Sequence, residues 1–367
     1  MIFYSDNISK DLNSYLFEKN YSKIFILVDE NTEKYCLTLL SLNFEYKIIK
    51  IKSGEKNKNI NTVSFIWEDL LFEKADRASL VINLGGGVIS DIGAFAASTY
   101  KRGVDFINIP TTLLAMVDAT VGGKAGFNFL NKKNMIGLFS KPVAIFIDVK
   151  FLLSLDKREF INGVAEVLKH GLLFDLEYFY EVIELLTPSL APQPPKGGAS
   201  DWNLAKKFPL GDLGAKTWKA IVKKSIEFKK KIVDEDFDEK GKRKILNLGH
   251  TIGHAFESYF LDKNIDLKHG EAVVLGLICI LNLSNKKFGF SNELQNRIIS
   301  DLKKVYSLNM YLNFKNENIT KYLIDDKKNK NGKLLMVLLD KDNNPIYDIK
   351  ITESEIIESL NFLKEIY

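Results

Sequence analysis

Up to Asp148 the chain alternates short, mainly apolar runs with segments of helical spacing, and this alternation is the tightest constraint on its fold. Lys23–Val28, Tyr46–Ile51, Ser79–Leu84, Phe106–Ile109 and Val143–Ile147 are strand-length runs. They end at Asp29, at three glycines, at Pro110 and at Asp148. Strands apolar on both sides and separated by helices belong to a parallel sheet covered on both faces. Residues 62–74 form one connecting helix, with Phe65, Ile66, Leu70 and Phe72 at helical spacing. After Asp148 the pattern changes, and 159–186, 216–234, 250–261, 270–287 and 291–305 all read as helices. The expected organisation is an α/β, Rossmann-like domain with a parallel sheet over residues 1–148. A mostly α-helical domain over 149–367 follows.

One stretch breaks this pattern. Residues 188–214 hold Pro188, Pro192, Pro194, Pro195 and Pro209, five of the eight prolines, and four glycines. Proline lacks the backbone donor, so the segment reads as a long irregular loop inserted between helices.

Composition narrows the class of function. Lys plus Arg is 51 and Asp plus Glu is 47, a balance that argues against nucleic acid as main partner. The longest apolar stretch, Ala272–Leu283, is shorter than the roughly 20 residues a membrane span needs and reads as a core helix. Cys36 and Cys279 are far apart, without metal-type spacing, and read as buried thiols of a reducing cytoplasm. The N-terminal residues lack the basic-then-apolar pattern of a signal peptide.

Three regions carry candidate chemistry. Gly85-Gly86-Gly87 follows a strand and opens a helix, where backbone N–H groups approach a phosphate and the helix N-terminus favours negative charge. The G-x-G-x-x-G fingerprint is incomplete, and a tight strand-to-helix turn needs the same glycines. Asp29, at a strand end, suits a ribose hydroxyl or a helix cap. Thr111, Thr112, Asp118, Gly122-Gly123-Lys124 and Asn128 crowd hydroxyls, glycines, a lysine and an amide together, which suits a phosphorylated, hydroxyl-rich ligand. In the helical half, Glu166 and Lys169 share a helix face, His250 and His254 stand at i, i+4, and His269 opens the next helix. One carboxylate with two or three imidazoles is a zinc-type donor set. His170 lacks such a setting and reads as a packed residue.

Taken together the motifs resemble those of the dehydroquinate synthase family of sugar-phosphate cyclases. The matching pieces, in family order over about 25–340, are Gly54-Glu55 with Lys58, Gly85–Asp91, Tyr100–Gly103, Pro110–Ala115, Gly122–Asn128, Lys133–Gly137, Ala165–Lys169, Glu239–Arg243, Leu246–His254 and His269–Ala272. A weaker match is Asp326-Lys327-Lys328 with Gly332. Ser90 and Ala125 depart from the glycine and threonine common there.

The resemblance implies a Rossmann-like domain followed by a helical one, and a homodimer. It implies NAD and a divalent metal, most often Zn2+, with Co2+ as an alternative. The implied reaction converts 3-deoxy-D-arabino-heptulosonate 7-phosphate to 3-dehydroquinate and phosphate, the second step of the shikimate pathway. Implied metal ligands are Glu166, His250 and His269, with His254 at the substrate instead. Lys124, Asn134 and His254 would surround the phosphate, with Arg102 reaching in from the partner subunit. Lys229 and Arg243 would hold the carboxylate; Asp118, Lys169 and Asn247 would complete the substrate site, with Lys328 or its neighbour Lys327 closing over it. NAD would meet Asp29, Asn31, Glu55, Lys58, Gly86, Gly87, Asp91, Thr111, Thr112 and Lys133.

Three other readings compete. They are a cyclase making an inosose or a valiolone, a metal-dependent polyol dehydrogenase, and a non-catalytic NAD-binding remnant.

Overall fold

A computed structural model describes residues 1–130, 132–190, 212–324 and 334–367. It divides into two compact units. The first takes the described residues of 1–163 and 210–230, the second those of 164–209 and 231–367.

In chain order the first unit holds β1 (Ile2–Tyr4), α1 (Ile8–Phe17), β2 (Ile24–Asp29), α2 (Glu30–Tyr35), β3 (Lys47–Ile51), α3 (Ile60–Phe72), β4 (Leu80–Gly85), α4 (Gly87–Thr99), β5 (Asp105–Pro110), β6 (Lys124–Phe129), β7 (Lys132–Phe139) and β8 (Ala144–Ile147). Six strands form one parallel sheet in the order β1-β8-β5-β4-β2-β3. Both of its faces are buried. Phe25, Leu27, Val81 and Phe106 are buried on one, and Ile26, Val28, Ile82, Leu84 and Ile107 on the other. That double burial explains the largely apolar runs, and the two amides that interrupt them pair, Asn83 Nδ2 donating to Asn108 Oδ1 at 2.9 Å.

From β2 the chain moves outward to β3, then returns to β4 and proceeds the other way through β5 and β8. The order therefore reverses between β2 and β4. In open parallel sheets the crevice outside the carboxyl ends at such a reversal is where ligands bind. Asp29 ends β2, and the three glycines end β4 and open α4.

Local details differ from the sequence reading. α3 packs Val63, Ile66 and Leu70 into the core cluster, while Phe65 and Phe72 are exposed; Asn59 caps the helix, accepting from Asn61 N–H and Thr62 N–H. β1 and the antiparallel hairpin β6–β7 escaped the periodicity reading.

Two helices cross the boundary between the units in sequence: α5 (Lys157–Phe174) and, after α6 (Leu176–Leu190), α7 (Asp212–Glu235). The expected single helix over 159–186 is broken at Asp175, whose Oδ1 accepts the Tyr178 N–H and caps α6. Residues 188–190 continue α6 and 212–214 begin α7, so the two edges of the expected 188–214 loop are helical. Residues 191–211 lie outside the described residues.

The second unit continues with α8 (His250–Asp262), α9 (His269–Phe288), α10 (Asn292–Val305), α11 (Asn316–Ile324), the hairpin β9 (Leu334–Leu339) and β10 (Pro345–Ile351), and α12 (Glu353–Glu365). α9 is buried from Ala272 through Ser284, as a core helix should be, and ends at Gly289 in the left-handed region (φ 69°). α8 lies so close to α9 that a Cβ on Gly276 would stand 2.0 Å from the Gly249 carbonyl oxygen. No described helix is long and apolar enough to cross a membrane.

Candidate active site

In the first unit the reversal point gathers most of the residues expected to meet a nucleotide. Gly86 precedes α4 without any side-chain cap, so the first N–H groups of that helix are left for a ligand. Gly86 also packs against Thr112, whose Cγ2 would be 3.0 Å from an added Cβ. Thr111 is buried and its N–H donates to the Gly85 carbonyl, tying the end of β5 to the glycine turn. Asp29 is a helix cap, its Oδ1 accepting from Asn31 N–H (3.0 Å) and Thr32 N–H (2.8 Å). Its role as cap is therefore visible, and both bonds fall on one oxygen.

Beside these lies a connected polar group. Lys58 is 5% exposed, and its Nζ donates to Asp91 Oδ2 (2.5 Å) and to Asn134 Oδ1 (2.6 Å). Burial disfavours its charge, but the carboxylates of Asp91 and Glu55 outweigh that and hold the ammonium above its usual range. Asn128 Nδ2 donates to Glu55 Oε1 (2.8 Å). Lys133 and Asn134 lie in an irregular stretch of the hairpin. Asp118 sits in a single π-type turn, Ala115–Ala119, and Lys229 Nζ donates to both its carbonyl (2.6 Å) and its carboxylate. Lys124 is exposed at the start of β6.

Arg102 is set apart. It follows α4, whose 13 residues rise about 20 Å, so it stands at the opposite end of that helix from the glycine turn. It is exposed, with left-handed backbone (φ 70°). A cavity of about 520 Å³, lined among others by Tyr35, Asp148, Lys150, Phe151 and Ser154, opens near the carboxyl end of β8. Of these residues only Asp148 figures in the sequence reading, as the end of a strand, and none as a site residue.

The second unit holds the histidines. Glu166 is fully buried on α5, and its Oε1 is approached by His250 Nε2 at 3.3 Å and His269 Nε2 at 3.4 Å. The three donor atoms lie within 4.8 Å of one another. Lys169 pairs with Oε2, yet neither buried Glu166 oxygen has a hydrogen bond of normal geometry.

The far side of each imidazole is also engaged. His250 Nδ1 lies 3.2 Å from the Leu248 carbonyl, to which it can only donate, so its Nε2 lone pair faces Glu166. His269 Nδ1 lies 3.4 Å from Glu257 Oε2. Carbonyl or carboxylate partners on the remote nitrogen are how metal-binding imidazoles are oriented. Two imidazole edges and a carboxylate converging without mutual hydrogen bonds are the donor set of a zinc-type cation.

Charge in this cluster follows from its burial. Burial alone would raise the Glu166 carboxyl, but the Lys169 ammonium and both imidazoles hold it well below the usual carboxylate range. Burial, with Lys169, drives His250 well below the usual imidazole value. For His269 burial is overcome by Glu257 and Glu166, and its pKa rises to about 10.

His254 is half-buried, its ring 5.4 Å from that of His250 and its Nε2 4.0 Å from Glu257 Oε2. Glu257 went unnoticed in the sequence. It is a single acid in the middle of α8, and only the packing of α9 brings it to His269. His170 is fully buried with its ring 6.4 Å from Phe174, as its plain setting suggested. Arg243 is buried, Nη1 donating to the Phe237 carbonyl (2.5 Å), and Asn247 Nδ2 donates to Glu239 Oε1 (2.5 Å). Lys327 and Lys328 lie outside the described residues.

Comparison with known proteins agrees with this geometry. Residues 48–162 match the model of the 3-dehydroquinate synthase N-terminal domain, and 163–329 that of the 3-dehydroquinate synthase C-terminal domain. A 3-dehydroquinate synthase of Parabacteroides distasonis is 36% identical over 362 residues, covering 98% of this chain and 96% of its own. One of Pelagibacter ubique is 36% identical over 97% of this chain and 93% of its own.

Among solved structures, a 2-epi-5-epi-valiolone synthase of Streptomyces hygroscopicus with NAD+ and Zn2+ bound superposes with TM-score 0.81 at 22% identity, covering all of this chain and 96% of the other. A 2-deoxy-scyllo-inosose synthase with NAD+ and Co2+ gives 0.76 at 23% identity, covering 99% and 96%. These two establish the fold alone. With both domain models matched in sequence and relatives aligned from end to end, the chain belongs to the 3-dehydroquinate synthase family.

Proposed function

We propose that the chain converts 3-deoxy-D-arabino-heptulosonate 7-phosphate to 3-dehydroquinate and inorganic phosphate, using NAD and a divalent metal, zinc or cobalt. The observation that carries this is the convergence of His250 Nε2 and His269 Nε2 on the buried Glu166 carboxylate. A polyol dehydrogenase shares a nucleotide crevice but has no need of a phosphate-binding set. A non-catalytic remnant has no need of an intact donor set.

Bound NAD would supply a hydride acceptor that later returns the hydride, and the metal would supply a Lewis acid for substrate oxygens. The protein's part is to hold and orient. Glu166, His250 and His269 hold the metal, with Glu257 and the Leu248 carbonyl setting the two rings. The uncapped start of α4 and the Thr111–Thr112 hydroxyls receive the nucleotide. Lys124 and Asn134 offer donors to the phosphate. Arg243 offers a planar fork suited to a carboxylate.

Arg102 acts on the site of a second copy in a homodimer. Its exposure at the far end of α4 supports that reading. Two buried free thiols, Cys36 and Cys279, support a cytoplasmic location.

The test is release of inorganic phosphate from the heptulosonate phosphate, with and without NAD and a chelator. Release should need both NAD and metal, and no net NADH should remain at completion. NADH accumulating in step with product would point to a dehydrogenase. The likeness of fold to the valiolone and inosose synthases sustains a second reading, another cyclase. Turnover of sedoheptulose 7-phosphate in place of the heptulosonate would establish it.

A further inference from the structure

The hairpin β6–β7 is regular from Lys124 opposite Phe139 to Phe127 opposite Ile136. It then pairs Phe129 with Lys132, so Lys133, Asn134 and Met135 together face the single residue Asn128. Such bulges re-aim side chains. Here Asn134 takes a left-handed backbone (φ 50°), and its N–H donates not to the ladder but to Asn128 Oδ1 at 2.9 Å. Its side-chain Oδ1 turns to Lys58. The Asn128 N–H in turn donates to the Lys58 carbonyl at 2.8 Å. The bulge and the segment carrying Lys58 are thus joined by backbone and side chain.

We propose that Lys58 is a positioning residue for Asn134, one buried ammonium fixing the bulge amide to Asp91 on the first turns of α4. An amide has an acceptor end and a donor end. Because Lys58 can only donate, it binds the carbonyl end of Asn134 and leaves the two Nδ2 hydrogens facing away. An anion is then met by donors. Without Lys58 the amide is free to turn over and present its oxygen, which repels a phosphate. The same ammonium serves Asp91, so the nucleotide crevice and the phosphate donor share one support.

This inference rests on the proposed role of Asn134 at the substrate phosphate. The test is a double-mutant cycle of Lys58→Met and Asn134→Ala, reading KM for the heptulosonate phosphate at saturating NAD. Each single variant should raise KM about tenfold, and the double also about tenfold, because Lys58 acts through Asn134. A product near a hundredfold, or a KM for NAD that rises alone, would overturn the proposal. Lys58→Arg, which keeps charge and donors, should recover most of the loss.

Amide hydrogen exchange of residues 133–135 in the ligand-free chain gives a second readout. It should quicken in Lys58→Met, and unchanged exchange would overturn the proposal as well. Lys58→Gln, which can satisfy one partner but not two, takes its place if the Met variant does not fold. If the wild type releases no phosphate, the proposed function fails by itself and the exchange measurement alone decides on Lys58.

Discussion

Substituting Gly276 by alanine tests whether the close approach of α8 and α9 sets the histidine cluster. An added Cβ would lie 2.0 Å from the Gly249 carbonyl oxygen and 2.9 Å from both Gly249 C and Gly253 N. All three are backbone atoms, so no side chain can swing aside. Ordinary contact begins near 3.4 Å, so the start of α8 must retreat by about 1.4 Å. His250 is the first residue of α8 and His269 the first of α9. Metal–ligand distances hold to about ±0.2 Å. The retreat is several times that tolerance, and His250 should fall out of range.

Overpacking of this kind costs about 1–3 kcal/mol in stability. A loss of about 3 kcal/mol from the metal site corresponds to roughly a hundredfold in affinity. Zinc affinity, measured by competition with a chelator on the dialysed protein, should therefore drop about a hundredfold in Gly276→Ala, and the melting temperature should fall by several degrees. Cys279→Ala is the control, since its thiol faces the Ser359 carbonyl on α12. A Gly276→Ala chain that binds zinc within threefold of wild type would refute the reasoning.

Further outcomes follow from the same geometry. His250→Ala and His269→Ala should lose the metal while His254→Ala keeps it and loses turnover; equal metal loss in all three would make His254 a ligand. Glu257→Gln should weaken metal binding about 10–100-fold by loosening His269, with turnover recovering at high metal concentration; unchanged affinity would reject its orienting role. Arg102→Ala and His250→Ala chains, each inactive, should regain activity when mixed into verified hybrid dimers, and no recovery would place Arg102 in its own subunit's site.

The fourth outcome concerns pH. Burial pushes the Asp236 carboxyl up, but the N–H groups of Gly241, Arg243 and Lys240 outweigh it and hold the pKa below its usual value. A depressed acid stabilises the fold above its unfolded pKa near 4 and loses that contribution as pH falls through the folded value. Asp236→Asn should therefore flatten the acid limb of the stability curve. An unchanged acid limb would remove Asp236 from the account.

How much of this was legible in the sequence depends on where each signal resides. β2, β4, β5 and β8 are buried on both faces, so their apolar runs declare them. β1 has only three half-buried residues and owes its existence to pairing with β8. The hairpin β6–β7 was hidden because its glycines and polar residues read as ligand contacts. Indeed Gly126 and Gly137 stand so close across the ladder that a Cβ on Gly126 would meet the Ile136 carbonyl at 2.4 Å.

For the site, Glu166, His250 and His269 were picked out by type and local motif. Their convergence is tertiary. So is the part of Glu257, which has no local mark beyond helical spacing from His254. The capping of α6 by Asp175 is a local signal, but continuous apolar spacing on both sides masked it.

The parallel sheet has a consequence for handling the protein. Because every strand of the main sheet runs the same way, the glycine turn, Asp29 and the threonine pair all collect at one edge, although they are scattered over more than eighty positions of sequence. Apart from Arg102, in the turn from α4 to β5, the connections at the other edge are relieved of that duty. Residues 18–20, between α1 and β2, are exposed and belong to that second edge. An epitope or a fluorescent reporter spliced in there would sit about a strand's length from the nucleotide crevice, and would mark the chain without crowding that crevice.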